Sequence, residues 1–213
     1  MTDEERVAWR IARSGKLTAS RAHDLLVGRP ATLRRIIAEI RQESEWLAAG
    51  NAPVESDAAP LRWGNQWEPV ARAVYQLETG YEVEDGGFHL LGADPLGSLV
   101  GASPDGLVLK RGVLEIKCGM SPSTHISYIS NGPSPRAFAQ MQFQMWVLGR
   151  EWAHFVSYDP RHPPSTRMFV LLVEKDEEFI RAMAEKVLAL AEYLRDGTDG
   201  PEDHDHNTNQ PLF

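Results

Sequence analysis

The stretch Ser103-Pro104-Asp105-Gly106-Leu107-Val108-Leu109-Lys110-Arg111-Gly112-Val113-Leu114-Glu115-Ile116-Lys117-Cys118 holds two apolar runs joined by a short basic turn. Leu107–Leu109 and Val113–Cys118 read as strands, and Lys110-Arg111-Gly112 as the connection, with Gly112 supplying the unusual backbone angle of a tight hairpin. Side chains alternate along a strand, so Glu115 and Lys117 share one face while Ile116 and Cys118 take the other. A hairpin of this kind brings Asp105 beside Glu115. Two adjacent carboxylates repel, and both stay ionised when a cation lies between them. Hard oxygen donors with few other ligands suit Mg²⁺ or Mn²⁺. Lys117, one pleat beyond, can hold an attacking water or a developing phosphorane charge. A cation, a water and a positive group are the requirements of phosphodiester hydrolysis. The competing interpretation is a surface hairpin whose Glu-x-Lys is simply solvated.

Working outward, the strand region extends upstream through Phe88–Leu91 and Leu99–Ser103. Before it, helices are expected over 4–12, up to Leu26 with Thr18 or Ser20 as cap, from Pro30 to Gly50, and from Glu68 to Thr79 with Gly80 as the left-handed stop. Residues 51–60 read as a loop. Downstream, a short helix spans Thr124–Ile129, and Pro135 starts a strong helix to Leu148 whose Phe138, Met141, Met145 and Leu148 mark a buried face. Strands Ala153–Tyr158 and Met168–Val173 and a helix Glu177–Leu194 complete the chain. Helices on both sides of a central sheet indicate an α/β or α+β domain over residues 1–195. The last eighteen residues, 196–213, read as an acidic, disordered tail, with His204 and His206 merely solvated.

Composition narrows the class. The chain has 213 residues, 42% hydrophobic and 24% charged, enough for one sizeable soluble domain. No apolar run approaches a membrane span, and Met1 to Arg10 lacks the apolar core of a signal peptide, so a cytoplasmic protein is expected. A single Cys118 excludes an internal disulfide and a four-cysteine iron–sulfur cluster. The net charge of −8 looks unfavourable for nucleic acid. Yet nine Lys or Arg face only Asp24 and Glu39 between Arg6 and Arg41, a local surplus that can track phosphates or cover solvated helix faces. Gly15-Lys16-Leu17-Thr18 lacks the upstream glycine of a nucleotide-binding loop, and ATP binding is rejected.

Four blocks occur in order: Trp9…Arg13-x-Gly15-x-x-Thr18-Ala19-Ser20; Trp63-Gly64-x-x-x-Glu68; Ser103-Pro104-Asp105-Gly106…Leu114-Glu115-x-Lys117-Cys118; and Gln140-x-Gln142-x-x-Met145-Trp146. Together with Tyr158-Asp159-Pro160-Arg161, this set resembles the lambda-exonuclease (YqaJ-type viral recombinase) family of the restriction-endonuclease-like superfamily. The resemblance implies a central mixed β-sheet flanked by helices. It also implies Mg²⁺-dependent, processive 5′→3′ degradation of one strand of linear duplex DNA to mononucleotides, in a homotrimeric ring that passes its product to a single-strand annealing protein. Carried over by position, Asp105, Glu115 and the Ile116 carbonyl would ligate the metal, and Glu68 would complete a two-metal site. Lys117 would orient or deprotonate the water, and Gln142 would position substrate or water. Arg13, Ser20 and Ser103 would bind a terminal 5′-phosphate, and Leu61 would be the wedge that splits the end base pair. Trp63, Trp67 and Trp146 are assigned to packing. An endonuclease of the same superfamily and a non-catalytic DNA-end-binding module are the alternatives. The Gly86-Gly87 connection does not align with the family pattern.

Overall fold

The computed structural model describes residues 2–53 and 58–202. Seven α-helices and eight strands follow in order: α1 Asp3–Arg13, β1 Leu17–Thr18, α2 Ala22–Val27, α3 Pro30–Ala48, α4 Ala59–Thr79, β2 Val83–Glu84, β3 His89–Leu90, β4 Val100–Ala102, β5 Gly106–Val108, β6 Gly112–Lys117, α5 Pro122–Asn131, α6 Pro135–Leu148, β7 Trp152–Tyr158, β8 Met168–Glu174 and α7 Glu177–Asp196. The helix ends follow local chemistry. The Ser134 hydroxyl accepts from the Ala137 N–H at the start of α6, Asp176 caps α7 through the Glu178 and Phe179 N–H groups, and left-handed Gly80 stops α4.

A five-stranded sheet in the order β2-β5-β6-β7-β8 forms the centre, with β6 and β7 parallel and every other pair antiparallel. A parallel pair needs a crossover, and α5 and α6 provide it. This connection lays α6 against one face, where Ala137, Met141 and Met145 pack on Leu107, Val113, Ala153 and Phe155. On the other face Ala71 and Tyr75 of α4 meet Val108, Leu114, Ile116 and Val156. The central strand β6 is thus buried on both sides. A small sheet, β1-β4-β3, shares a second core with α2, α3, α6 and α7.

Several expectations are corrected. Helix α4 starts at Ala59 rather than Glu68, because Pro60 suits its first turn and the chain tolerates Pro69 inside it. Neither Thr18 nor Ser20 caps a helix; a 3₁₀ turn over Ala19–Arg21 intervenes without a side-chain cap. The hairpin's left-handed residue is Leu109, at φ 51°, and not Gly112. Gly112 has a different purpose: a Cβ there would stand 2.2 Å from the Trp152 ring that crosses it. The boundary at 196 falls too early. Arg41 donates to Tyr193 O at 2.9 Å and pairs with Asp199 at 3.1 Å, while Arg34 donates to Pro201 O at 2.7 Å, which ties residues 197–202 onto α3. The rest of the expected tail, including His204 and His206, lies outside the described residues.

The basic surplus of the N-terminal region is largely spent internally. Arg21 pairs with Glu39 and Glu43 at 2.9 and 2.8 Å, Arg35 pairs with Glu39, and Arg34 and Arg41 hold the C-terminal segment. Charge counting along the chain therefore overstates what is free for phosphate.

Candidate active site

The edge of β6 organises the site. Asp105 N donates to Leu114 O at 3.0 Å, and the Asp105 Oδ2 accepts from Ile116 N at 2.6 Å. Residues two apart along a strand direct their N–H and C=O groups to the same edge. The Ile116 carbonyl therefore points toward Asp105, past the end of β5. Gly106 follows at a position where a Cβ would lie 2.3 Å from the Val83 side chain, so only glycine lets β5 leave Asp105 in this place.

Glu115 projects from the face of β6 opposite Leu114 and Ile116 and is 1% exposed. This is no wet hairpin face. Its Oε2 accepts from Gln144 Nε2 at 2.6 Å, and its Oε1 pairs with Lys117 Nζ. Lys117 Nζ also donates to Gln140 Oε1 at 3.1 Å. Glu68 comes from α4 on the stripe Glu68, Ala71, Arg72, Tyr75, whose spacing of three and four turns one helix face toward the sheet. Arg72 Nη2 donates to the Asp105 carbonyl oxygen.

The electrostatics are those of crowded carboxylates. Burial raises the Asp105 carboxyl well above the usual range, and Glu115 and Glu68 raise it further. Glu68 is raised by burial, against the opposing pull of Arg72. Burial opposes charge on Lys117, but Glu115 and Asp105 together override it and hold the ammonium above the ordinary lysine range. The field reaches Cys118, whose thiol is pushed up to about 12 by burial and then by Glu68, Asp105 and Asp159. The carboxylates' share of that shift is a negative field that favours a cation.

The donor set fits a hard divalent ion: the Asp105 and Glu115 carboxylates with the Ile116 carbonyl are all oxygen ligands. Among the described residues no group of three His, Cys, Asp or Glu side chains converges into a ready cage.

The structure corrects Gln142. Residues 140 and 144 are one helical turn apart, and 142 lies on roughly the opposite side of α6. Its amide donates to Glu174 O and accepts from Asp176 N, both at 2.9 Å, and so ties α6 to the start of α7. Gln142→Leu is accordingly expected to destabilise the fold by about 1–3 kcal/mol, since two part-buried backbone groups lose their partner. The folded fraction should keep its activity. Urea melts beside specific-activity measurements check this; an inactive variant of unchanged stability would refute it.

Sequence reasoning missed Gln140, Gln144 and Arg72 as site residues. The usable signals were spacing of four, Gln140 to Gln144 and Glu68 to Arg72, which marks a common helix face.

The expected phosphate residues also come together. The Arg13 guanidinium lies over the Trp9 ring, 4.3 Å from its centroid, and donates to Ser20 Oγ at 3.3 Å. Ser20 Oγ is 3.2 Å from Thr18 Oγ1. Trp9 Nε1 donates to Ser103 Oγ at 2.5 Å, and Ser103 passes its own proton to Gly87 O at 2.5 Å. The Gly86-Gly87 connection, opaque in sequence, therefore supports Ser103, and a Cβ at Gly86 would clash with the Pro104 carbonyl.

Leu61 sits in the first turn of α4 and is 43% exposed. It precedes Glu68 by two turns on the same helix face, about 10 Å along the axis. Trp67 and Trp146 pack against cores as expected. Trp63 is 5.7 Å from Trp67 and lies under Arg161, whose guanidinium is 4.7 Å from the ring centroid. Arg161 also binds buried Asp159 and the Gly119 and Met120 carbonyls, joining the β7–β8 loop to the segment after β6.

Comparison with known proteins settles the lineage. The family model described as a YqaJ-like viral recombinase domain matches residues 8–151. The chain belongs to the YqaJ-like viral recombinase family. A search of curated proteins found no match. Among solved structures, an alkaline exonuclease from Laribacter hongkongensis is 36% identical, with 89% of this chain and 93% of that one covered and a TM-score of 0.79. The same exonuclease in complex with dAMP gives a TM-score of 0.78 at 36% identity over the same shares of both chains. A phage-related exonuclease from Haemophilus somnus 129PT is 16% identical, covers 85% of this chain and 94% of its own, and has a TM-score of 0.66, a likeness of fold. The mixed sheet flanked by helices is thus the restriction-endonuclease-like fold of YqaJ-like recombinases. No helix among the described residues is long and apolar enough to cross a membrane.

Proposed function

We propose that this YqaJ-like protein is a divalent-cation-dependent 5′→3′ exonuclease that degrades one strand of linear duplex DNA to mononucleotides. The observation that carries the proposal is the juxtaposition of Asp105, Glu115 and Lys117 at one edge of β6, with Glu68 facing them from α4. The relatives described as exonucleases support it, as does the dAMP complex of one of them.

Asp105, Glu115 and the Ile116 carbonyl would hold Mg²⁺ or Mn²⁺, and Glu68 would complete a second cation position. Bound there, the cation supplies Lewis-acid stabilisation of the phosphoryl oxygens and favours ionised water. Lys117, kept charged by Glu115 and steadied by Gln140, orients the attacking water and counters charge developing on phosphorus. Arg13 and Ser20 hold the terminal 5′-phosphate. The Trp9 ring fixes the Arg13 plane, and Ser103 fixes Trp9. An anchored phosphate sets the register, so each cleavage exposes the next phosphate for capture. Leu61, exposed on the same face of α4 as Glu68, separates the terminal base pair. A homotrimeric ring around the duplex would make the action processive, and the single strand released suits an annealing protein in recombination.

The test is digestion of linear 5′-phosphorylated duplex, with Mg²⁺ or EDTA, beside a closed circle. Mg²⁺-dependent release of mononucleotides with an intact circle is expected. Cutting of the circle would make the protein an endonuclease, and binding without cleavage would leave a DNA-end module. Arg13→Ala should weaken use of 5′-phosphorylated ends by about 10-fold or more, since a charge-assisted hydrogen bond is worth about 1.5–3 kcal/mol. Activity on 5′-hydroxyl ends should change little. Equal losses on both ends would remove Arg13 from phosphate recognition.

A further inference from the structure

Gln144 is fully buried, and its Nε2 donates to Glu115 Oε2 at 2.6 Å. The other half of the same amide, Oε1, has no hydrogen-bond partner in the structure. A buried amide with one unpaired end is a poor choice for stability alone, because the orphan carbonyl bears an uncompensated desolvation cost. The surrounding residues of α6 show what packing prefers there: Met141, Phe143 and Met145 are all apolar and buried. Methionine has nearly the length and flexibility of glutamine and would fill the position without the orphan carbonyl, at the cost of the donor to Glu115 Oε2.

What methionine cannot do is donate to Glu115. The carboxylate is gripped at both ends, Oε2 by Gln144 and Oε1 by Lys117. Without Gln144 the side chain is free to rotate toward Lys117 with both oxygens. With Gln144 in place, one oxygen is committed and the plane of the carboxylate is set.

We infer that Gln144 is a positioning residue, whose amide N–H orients the Glu115 carboxylate so that one oxygen is presented to a divalent cation. The inference rests on the reading of Asp105 and Glu115 as metal ligands. Groups that orient a ligand from behind are worth about 10–100-fold in metal affinity. Gln140 acts on the same strand by a separate contact, its Oε1 steadying Lys117. Two glutamines one helical turn apart thus serve the carboxylate and the ammonium respectively.

The experiment is Mn²⁺ binding to the full-length protein without DNA, followed by electron paramagnetic resonance of the free ion, for wild type, Gln144→Met, Gln144→Glu and Asp105→Ala. Gln144→Met should bind Mn²⁺ about 10–100-fold more weakly while its thermal melt still shows a folded protein. Its cleavage rate should recover at saturating metal, with an unaltered KM for DNA. Gln144→Glu should not restore binding, because an ionised carboxylate cannot donate to Glu115 and repels it. Wild-type Mn²⁺ affinity in Gln144→Met would overturn the inference, as would a lowered melting temperature with no change in metal binding. Asp105→Ala separates the two levels. Should it bind Mn²⁺ as wild type does, the metal-site reading itself fails; should it lose Mn²⁺ while Gln144→Met retains it, only the role of Gln144 fails.

Discussion

Asp105→Asn is expected to abolish DNA cleavage and to raise the melting temperature in EDTA. Both effects have one origin. Burial, Glu115 and Glu68 hold the folded-state pKa of this carboxyl well above its unfolded value. An acid shifted upward binds its proton more tightly folded than unfolded, so stability falls as pH rises from the unfolded pKa of about 4 toward the folded one. At neutral pH this carboxyl therefore works against the fold. Asparagine removes the charge and keeps an oxygen for the Ile116 N–H. It also removes the repulsion between the Asp105 and Glu68 carboxylates. Each kcal/mol so recovered moves the melting point of a chain this size by about 2–4 °C. Cleavage is lost because an amide is a far weaker ligand for a hard divalent ion than a carboxylate. Thermal melts at pH 7, with and without Mn²⁺, read all of this. Wild type should gain stability from Mn²⁺ and the variant should not; a variant that melts below wild type in EDTA would contradict the account.

Lys117→Met is also expected to lower activity steeply, but with the opposite effect on stability. Its charge is the counterpart of a buried Glu115, and removal of one partner of a buried pair costs about 3–5 kcal/mol. The expected fall in melting temperature is therefore large. The catalytic loss should be about 10²–10³-fold in kcat, the usual consequence of deleting one group aimed at developing charge. DNA affinity should stay close to wild type, because the ammonium faces Glu115 and Gln140 and not the Arg13 cluster. Lys117→Arg should recover much of the stability and little of the rate, since a planar guanidinium keeps the charge but not the point geometry. Single-turnover cleavage with melts of the same preparations would decide. Substantial activity in Lys117→Met would remove the residue from the chemistry.

The candidate site was unequally legible in the sequence. Asp105, Glu115 and Lys117 could be read from the chain because strand alternation and one hairpin are local relations. The three glutamines of α6 could not be told apart in the same way. Spacing of four groups Gln140 with Gln144, but residues buried on several sides of the helix leave open whether that face or the Gln142 face meets the site. The choice was made by the β6–α6–β7 crossover, which aims 140 and 144 at Glu115 and Lys117 and leaves 142 to bind the chain at Glu174 and Asp176. Gly112 misled for a related reason. A turn glycine and a glycine crossed by a distant tryptophan ring look identical in sequence, and Trp152 lies forty residues away.

What the sequence by itself determined is the set of local commitments: the helix starts at Pro30 and Pro135, the stop at Gly80, the strand alternation that pairs Glu115 with Lys117, and the ordered blocks that carry the family. These depend on backbone geometry and on residues within a turn or a hairpin of one another. Only the tertiary structure decided that β6 is covered on both faces, which turns a charge pair suited to solvent into a buried one. It also decided that Arg34 and Arg41 are spent on residues 193–201 and that Arg72, Gln140 and Gln144 converge on the carboxylates. Burial and long-range pairing arise from how elements pack, and no window of the chain contains that information.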